Sequence, residues 1–323
     1  MEFNVLIVGL GKIGMGYDLD LDHDEYVYSH AAAFSQHKGF NIVGGVDVDT
    51  KLGKTFEERY NSEFYVNIQE ALQKHHPDIV VIATSTQFHN QTLKDIAKYS
   101  KPKVVLCEKP LSYRVEEAYS MQKLCKDNGI QLFVNYMRNS TPDSIEIKDK
   151  INSNEYAGSL KGVVWYSKGL VHNGSHFVNL LTYWLGPIKE SCCISKGPLL
   201  DKQNIEPDFS LTFEKGKVVF LSTQEENFSN YAVELVFENG RLRYERGGRE
   251  VYWTSVKQDE SLSTHKFLSN DDGSYNTDSM SKYQLHVVNE LWNMLNQENY
   301  ELCSDAMAIS TLESINDVLE GCK

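Results

Sequence analysis

The sequence predicts an α/β protein: an N-terminal doubly wound parallel sheet, then a C-terminal α+β domain with a mostly antiparallel open sheet. Three observations predict it. Short apolar runs alternate with amphipathic stretches through the first 135 residues. A G-x-G-x-x-G string follows the first run directly. Beyond residue 136 the apolar pattern changes to short alternating segments split by glycine turns. The expected domains are therefore residues 1–135 and 136–323.

In the first half, Asn4–Val8, Phe40–Val46, Asp78–Ala83, Lys103–Cys107 and Ile130–Val134 read as strands. Their near-continuous Val, Ile and Leu content suits a parallel sheet covered on both faces. Ala31–Gln36, Thr50–Tyr60, Ile68–Lys74, Asn90–Lys98 and Val115–Asn128 read as the intervening helices. In the second half, Ser144–Asn152 and Phe177–Leu185 read as helices and Gly162–Lys168 as a strand. Asp208–Phe213, Lys217–Ser222, Ala232–Phe237, Arg241–Arg246 and Glu250–Ser255 alternate as strands, with Lys215-Gly216 and Asn239-Gly240 as hairpin signals. Ser281–Asn296 and Ser304–Leu319 close the chain as helices.

Composition narrows the function classes. The 323 residues are 41% hydrophobic and 24% charged, which leaves enough apolar surface for a core without staples. The net charge of −13 and the absence of a basic patch argue against nucleic acid and anionic lipid as partners. No run approaches the roughly 20 apolar residues of a membrane span, and Met1–Asn4 lacks the positive region of a signal peptide. Cys107, Cys125, Cys192, Cys193, Cys303 and Cys322 show no CxxC spacing. All six are expected to be ordinary packing thiols in a cytoplasmic protein.

Gly9-Leu10-Gly11-Lys12-Ile13-Gly14 sits between a strand and a turn, the context that makes this string informative. Its glycines let the backbone approach a pyrophosphate, whose charge backbone N–H groups meet. Gly9, Gly11, Lys12, Ile13 and Gly14 are therefore cofactor-binding candidates in a Rossmann sheet. Asp47 ends the second strand, where a carboxylate accepts from both adenosine ribose hydroxyls and repels a 2′-phosphate. That favours NAD over NADP. The separation from Gly14 to Asp47 is 33 positions, against about 20 in the usual fingerprint. Met15–Ser29, with five carboxylates and three tyrosines, accounts for the excess and reads as a solvated loop inserted before the first helix. Asp18, Asp20, Asp22 and Asp24 lack the glycine and terminal Glu of a calcium loop.

Four motifs in order carry a resemblance over essentially the whole chain. Beyond the glycine loop, they are Ala83-Thr84-Ser85-Thr86-Gln87-Phe88-His89, Glu108-Lys109-Pro110-Leu111-Ser112 and His172-Asn173-Gly174-Ser175-His176-Phe177-Val178-Asn179-Leu180-Leu181. The chain resembles the glucose–fructose oxidoreductase/inositol dehydrogenase family (Gfo/Idh/MocA). The resemblance implies an NAD-dependent oxidoreductase acting on a secondary hydroxyl or ketone of a sugar, cyclic polyol or nucleotide sugar. It makes Lys109 the acid/base lysine, with Glu108, Thr84, Ser85 and His89 beside the cofactor. His176 matches the family histidine that hydrogen-bonds the reacting hydroxyl. His172 stands where aspartate is common and Asn179 replaces a second aspartate, so neither supplies a fixed negative charge.

The chemistry suits these residue types. A lysine accepts a hydroxyl proton when burial or neighbouring cations lower its pKa, and open α/β sheets bind ligands at the strand ends where Lys109 falls. Tyr136, Arg138, Tyr166, Lys168 and Asn173 are placed near the expected pocket as substrate contacts. His172 and His176 form an H-x3-H pair, but Asn173-Gly174 breaks the helix between them and no third ligand follows, so no metal is expected. Two other readings stand beside the dehydrogenase: a redox-neutral enzyme that keeps NAD bound through oxidation, elimination and reduction, and a non-catalytic cofactor-sensing protein. The exposed face of the second sheet implies a homo-oligomer, a dimer or tetramer.

Overall fold

A computed structural model describes residues 2–201, 204–223, 228–269, 274–275 and 278–323. The chain forms two compact units, Met1–Thr141 with Ser281–Leu312, and Pro142–Met280 with Glu313–Lys323.

The first unit is built on six parallel strands: β1 (Phe3–Val8), β2 (Phe40–Val46), β3 (Glu63–Tyr65), β4 (Ile79–Ile82), β5 (Val104–Cys107) and β6 (Gln131–Val134). Their order is β3-β2-β1-β4-β5-β6, so the winding reverses between β1 and β4. The intervening helices are α1 (His30–Gln36), α2 (Thr50–Tyr60), α3 (Ile68–His75), α4 (His89–Tyr99) and α5 (Val115–Asn128). Alternate side chains of each strand serve opposite faces. Val5, Ile7, Val81 and Leu106 join Phe34, Phe40 and Phe56 in one buried cluster. Leu6, Val8, Val80, Ile82 and Val105 join Leu93, Ile96 and Met121 in the other.

Helix ends follow local chemistry. Asp49 caps α2 by accepting from the Lys51 N–H, and Asn61 ends it in the left-handed region at φ 49°. Gly129 ends α5 in the same way at φ 70°. The edge strand β3, only three residues long, was absent from the sequence expectation. The last layer of this unit comes from the far end of the chain. Val287, Val288 and Leu291 pack into the first cluster, and Ala308, Ile309 and Leu312 into the second.

The second unit opens with α6 (Pro142–Asn152) and β7 (Leu160–Tyr166), followed by α7 (Ser175–Leu185) and β8 (Glu190–Ser195). A small ribbon pairs β9 (Leu199–Asp201) with β10 (Asn204–Ile205). The main sheet continues with β11 (Asp208–Phe213), β12 (Gly216–Ser222), β13 (Ala232–Phe237), β14 (Gly240–Glu245) and β15 (Glu250–Gln258). It lies in the order β15-β14-β13-β7-β12-β11-β8, and two short strands, Lys266–Leu268 and Ser274–Tyr275, pair with β15. Only β7 and β12 run parallel; the other pairs are antiparallel, as expected. One face of the sheet is buried through Val164, Tyr166, Phe209, Phe220, Leu235 and Tyr244. Trp184 of α7 meets Tyr244 edge-on at 5.3 Å and donates its indole N–H to the Ser144 carbonyl. On the opposite face Trp165 and Val236 are each 42% exposed.

Helices α8 (Tyr283–Leu295) and α9 (Asp305–Gly321) complete the chain. The expectation of six free thiols is corrected at its end. Cys193 of β8 and Cys322 form a disulfide with Cα atoms 5.4 Å apart, within bridging reach. Linear spacing could not show it, because 129 positions separate partners that only the fold brings together. Cys107, Cys125, Cys192 and Cys303 are outside the disulfide and keep their thiols.

Candidate active site

Five strand ends meet on one edge of the first sheet, and they carry most of the sequence-designated residues. Gly9 leaves β1 at φ +98°, a conformation side-chain-bearing residues avoid, and its N–H donates to the Val46 carbonyl at 2.8 Å. Gly14 is required by closeness instead, since a Cβ there would lie 2.0 Å from the Gly9 oxygen. Gly11 is the open position, where a Cβ would meet no atom within 4 Å. A single π-type turn, Lys12–Gly16, then carries the chain away from the loop.

Asp47, at the end of β2, accepts from the Leu10 N–H at 2.7 Å with one oxygen and from the Asp49 N–H at 2.9 Å with the other. Each oxygen has a second lone pair to offer. After β4, Thr84 carries a buried hydroxyl that has no hydrogen-bond partner among the described residues. A cradle left open at Gly11 and an unpaired hydroxyl at Thr84 fit a dinucleotide laid across this edge. Ser85 beside them is exposed. His89 is 1% exposed, and its ring nitrogens lie 2.9 Å from the Thr84 carbonyl and 3.2 Å from that of Leu111. The ring therefore ties the loop after β4 to the segment after β5, and burial pushes its pKa down.

Glu108, Lys109 and Pro110 leave β5, with a cis peptide before Pro110. Burial brings the Lys109 pKa down to about 8; the Glu108 carboxylate works against this and the Arg138 guanidinium works with it. A lysine so placed exchanges protons near neutral pH. Glu108 is itself buried, which works to raise its pKa, but His30, Asn135 and Lys109 outweigh burial and hold the carboxyl below its usual range. Arg138 is 7% exposed, in a short 3-10 turn after β6. Tyr136 is buried within the second hydrophobic cluster rather than displayed at the strand edge.

His30, Asn135 and Gln284 were not singled out in the sequence, yet all three surround Glu108. Their contacts span separations of 27 to 254 residues, so no local pattern announced them. The Met15–Ser29 insert also departs from a wholly solvated loop. Asp20, Asp22 and Asp24 are exposed, but Asp18 is fully buried and accepts from the Tyr28 and Ser29 N–H groups at 2.6 and 2.8 Å. The helix restarts at His30, and the Asp18 carboxylate takes up backbone donors that the interruption leaves behind. Val27 donates to the Ser281 carbonyl at 2.8 Å, and Tyr28 stacks on Tyr283 with centroids 5.4 Å apart.

In the second unit, Lys168 takes φ 63° and Gly169 φ 88° at the exit from β7. The buried Glu206 carboxylate accepts from the Gly169 N–H at 2.8 Å, and Asn204 Oδ1 from the Val171 N–H at 3.1 Å. Another π-type turn, Leu170–Gly174, carries His172 and Asn173 into α7, where His176 occupies the first turn. His172, Asn173 and His176 are half-buried and Lys168 is exposed. Tyr166 is not a surface contact: it is fully buried and donates its hydroxyl to the Pro207 carbonyl at 2.5 Å. Asn179 is also fully buried.

The glycine turn, the aspartate ending β2 and the lysine after β5 lie at one sheet edge, within the stretch that a family comparison matches. Residues 3–136 match the family model described as "Oxidoreductase family, NAD-binding Rossmann fold". Over residues 3–136 the chain is thus similar to the NAD-binding domain of the Gfo/Idh/MocA family. Inositol 2-dehydrogenase of Mycolicibacterium smegmatis is 34% identical over 92 residues, 28% of this chain and 26% of that protein. The match thus spans about a quarter of the curated relative's length.

Solved structures extend the likeness in fold to the whole chain. The WlbA dehydrogenase of Bordetella pertussis, in complex with NADH and UDP-GlcNAcA, has a TM-score of 0.78 at 16% identity. The alignment covers 99% of this chain and 95% of that one. An oxidoreductase from Agrobacterium radiobacter, in complex with NAD+, L-tartaric acid and magnesium, also has a TM-score of 0.78, at 15% identity, covering 100% and 96%.

Proposed function

We propose that the protein is an NAD-dependent oxidoreductase acting on a secondary hydroxyl or ketone of a sugar, cyclic polyol or nucleotide sugar. The observation that carries this reading is Lys109: a partly buried amine at the sheet edge with its pKa brought down to about 8. Gly9, Gly11, Lys12, Ile13 and Gly14 would receive the pyrophosphate, Asp47 the adenosine ribose, and Thr84, Ser85 and Glu108 the remainder of the cofactor. When bound, NAD supplies the hydride acceptor. The chain's own part is acid–base: Lys109 Nζ takes the hydroxyl proton as the carbinol hydrogen leaves with its electron pair, and returns it in the reverse direction.

By family resemblance, His176 hydrogen-bonds the reacting hydroxyl, and His172 relays a proton without fixed negative charge. Arg138, Lys168 and Asn173 contribute polar contacts to the substrate. The sugar-type substrate is supported by inositol 2-dehydrogenase among the sequence relatives and by UDP-GlcNAcA in the WlbA structure. The uncovered apolar face around Trp165 and Val236 supports a homo-oligomer, a dimer or tetramer. Four free thiols support a cytosolic location, with the disulfide as a local exception.

The test is Lys109→Ala, assayed by NADH formation across a panel of sugars, polyols and nucleotide sugars. Turnover should fall by about 100-fold or more, the usual worth of a positioned acid–base group, while NADH affinity stays within about threefold. Unchanged turnover would remove Lys109 from the mechanism. Cofactor binding by the unaltered protein without turnover on any compound would favour a sensing role.

A further inference from the structure

The least expected arrangement on the first unit lies behind Lys109 rather than in front of it. His30 opens α1, Glu108 follows β5, Asn135 follows β6 and Gln284 lies in the first turn of α8. Their exposures are 1%, 9%, 4% and 0%. His30 Nε2 lies 2.8 Å from Glu108 Oε1, and the Asn135 amide donates to the same oxygen at 2.6 Å. That amide also donates to Gln284 Oε1 at 3.1 Å, which fixes how Gln284 points. Its nitrogen then faces the His30 ring, 3.4 Å from Nδ1 and 3.3 Å from Nε2.

The donors and acceptors close in one consistent way. An ionised carboxylate only accepts, so the ring nitrogen 2.8 Å from it, His30 Nε2, carries a proton and points it at Glu108. A carboxylate at this depth stays charged only when donors replace its water. His30 and Asn135 supply them, and the Lys109 N–H adds a longer contact of 3.3 Å to the other oxygen.

We infer that His30 is a positioning residue for Lys109: its Nε2–H holds the Glu108 carboxylate charged and fixed, and through that carboxylate it governs the protonation of the amine. The inference deepens the proposed role of Lys109 and takes its functional meaning from it. Other titratable groups share the neighbourhood. Cys107, His89 and Tyr283 all feel the Glu108 charge, Arg138 acts on Lys109, and Asp18 acts on Tyr283. His30 and Asn135 both make side-chain hydrogen bonds to the Glu108 carboxylate.

The test reads the amine itself. Pulse acetylation of the intact protein from about pH 6 to about pH 10, quantified on the Lys109 peptide by mass spectrometry, gives the fraction of free amine. The unaltered protein should show a midpoint of about 8. In His30→Leu the Glu108 carboxyl loses a donor and part of its charge, so Lys109 loses cationic support. Its midpoint should fall by about one pH unit, giving about tenfold more labelling below the midpoint. His30→Gln, which can return an N–H to the Nε2 position, should keep the original midpoint. In a Glu108→Gln background, His30→Leu should cause no additional fall.

An unmoved midpoint in His30→Leu, an equal fall in His30→Gln, or a further fall in the Glu108→Gln background overturns the inference. If His30→Leu does not fold, Asn135→Ala removes the second donor from the same carboxylate. It should move the midpoint downward, and an unmoved midpoint there overturns the network as drawn. Because no substrate is used, a wrong assignment of the reaction leaves these results untouched; failure of NADH to bind would count against the proposed function alone.

Discussion

Replacing Asp47 by Asn should convert a site that selects NADH into one that tolerates NADPH. In the folded protein one Asp47 oxygen accepts from the Leu10 N–H and the other from the Asp49 N–H, at 2.7 and 2.9 Å. Each oxygen keeps a second lone pair that can accept from a ribose hydroxyl. A hydrogen bond to a charged group is worth ~1.5–3 kcal/mol, so loss of the ionised acceptor should weaken NADH by about 30-fold. The 2′-phosphate experiences the opposite change. Two like charges ~5 Å apart repel by ~3 kcal/mol at an effective dielectric of ~20, and half of that surviving solvent screening corresponds to about tenfold tighter NADPH. The ratio of the two affinities should therefore move by about 300-fold. Titration of cofactor-free protein with NADH and NADPH, followed by nicotinamide fluorescence, measures both constants. An NADH affinity within about twofold of the original and an unimproved NADPH affinity would refute Asp47 as the ribose reader.

Other outcomes rest on the same geometry. With the Lys109 pKa at about 8, kcat/KM for alcohol oxidation should rise about tenfold per pH unit up to that value and then level off. Ketone reduction, which needs the protonated amine, should decline above it. Because the folded pKa lies below the ordinary lysine value of 10.5, the amine's burden on stability is full below about pH 8 and is relieved as pH rises toward 10.5. Gly14→Ala should cost ~1–3 kcal/mol in urea unfolding and weaken NADH binding, since its Cβ would fall 2.0 Å from the unyielding Gly9 carbonyl. Trp165→Glu, on the uncovered sheet face, should shift the protein to monomer in light scattering without changing its far-ultraviolet circular dichroism.

The framework of the first unit was legible because its signals are local. Thr50–Tyr60 and Val115–Asn128 appear as helices with the expected bounds, and Phe40–Val46 as the expected strand. Apolar runs, caps and a left-handed glycine are written within a few adjacent residues. The strand β8 was missed because Glu190–Ser195 is a largely exposed edge strand with little burial pattern to read. The strand-end positions of Lys109 and Asp47 were legible from motif context. The groups around Glu108 were not, because His30, Asn135 and Gln284 meet only through sheet order and the return of α8. Tyr136 and Tyr166 are both buried, which aromatic residues at strand ends do not announce in a sequence.

The return of the chain to the first unit has a consequence for how the protein is made. Gly39 packs so tightly under Trp292 that a Cβ there would come within 2.0 Å of the indole ring, and Phe3 and Phe40 meet the same ring with centroids 6.0 and 5.9 Å away. During translation the first 141 residues emerge with this hydrophobic seat uncovered. The covering helix is synthesised only after the intervening second unit, a delay on the order of ten seconds at ordinary elongation rates. The nascent first unit therefore depends on a segment made long after its sheet, and until α8 arrives the growing chain exposes this apolar seat.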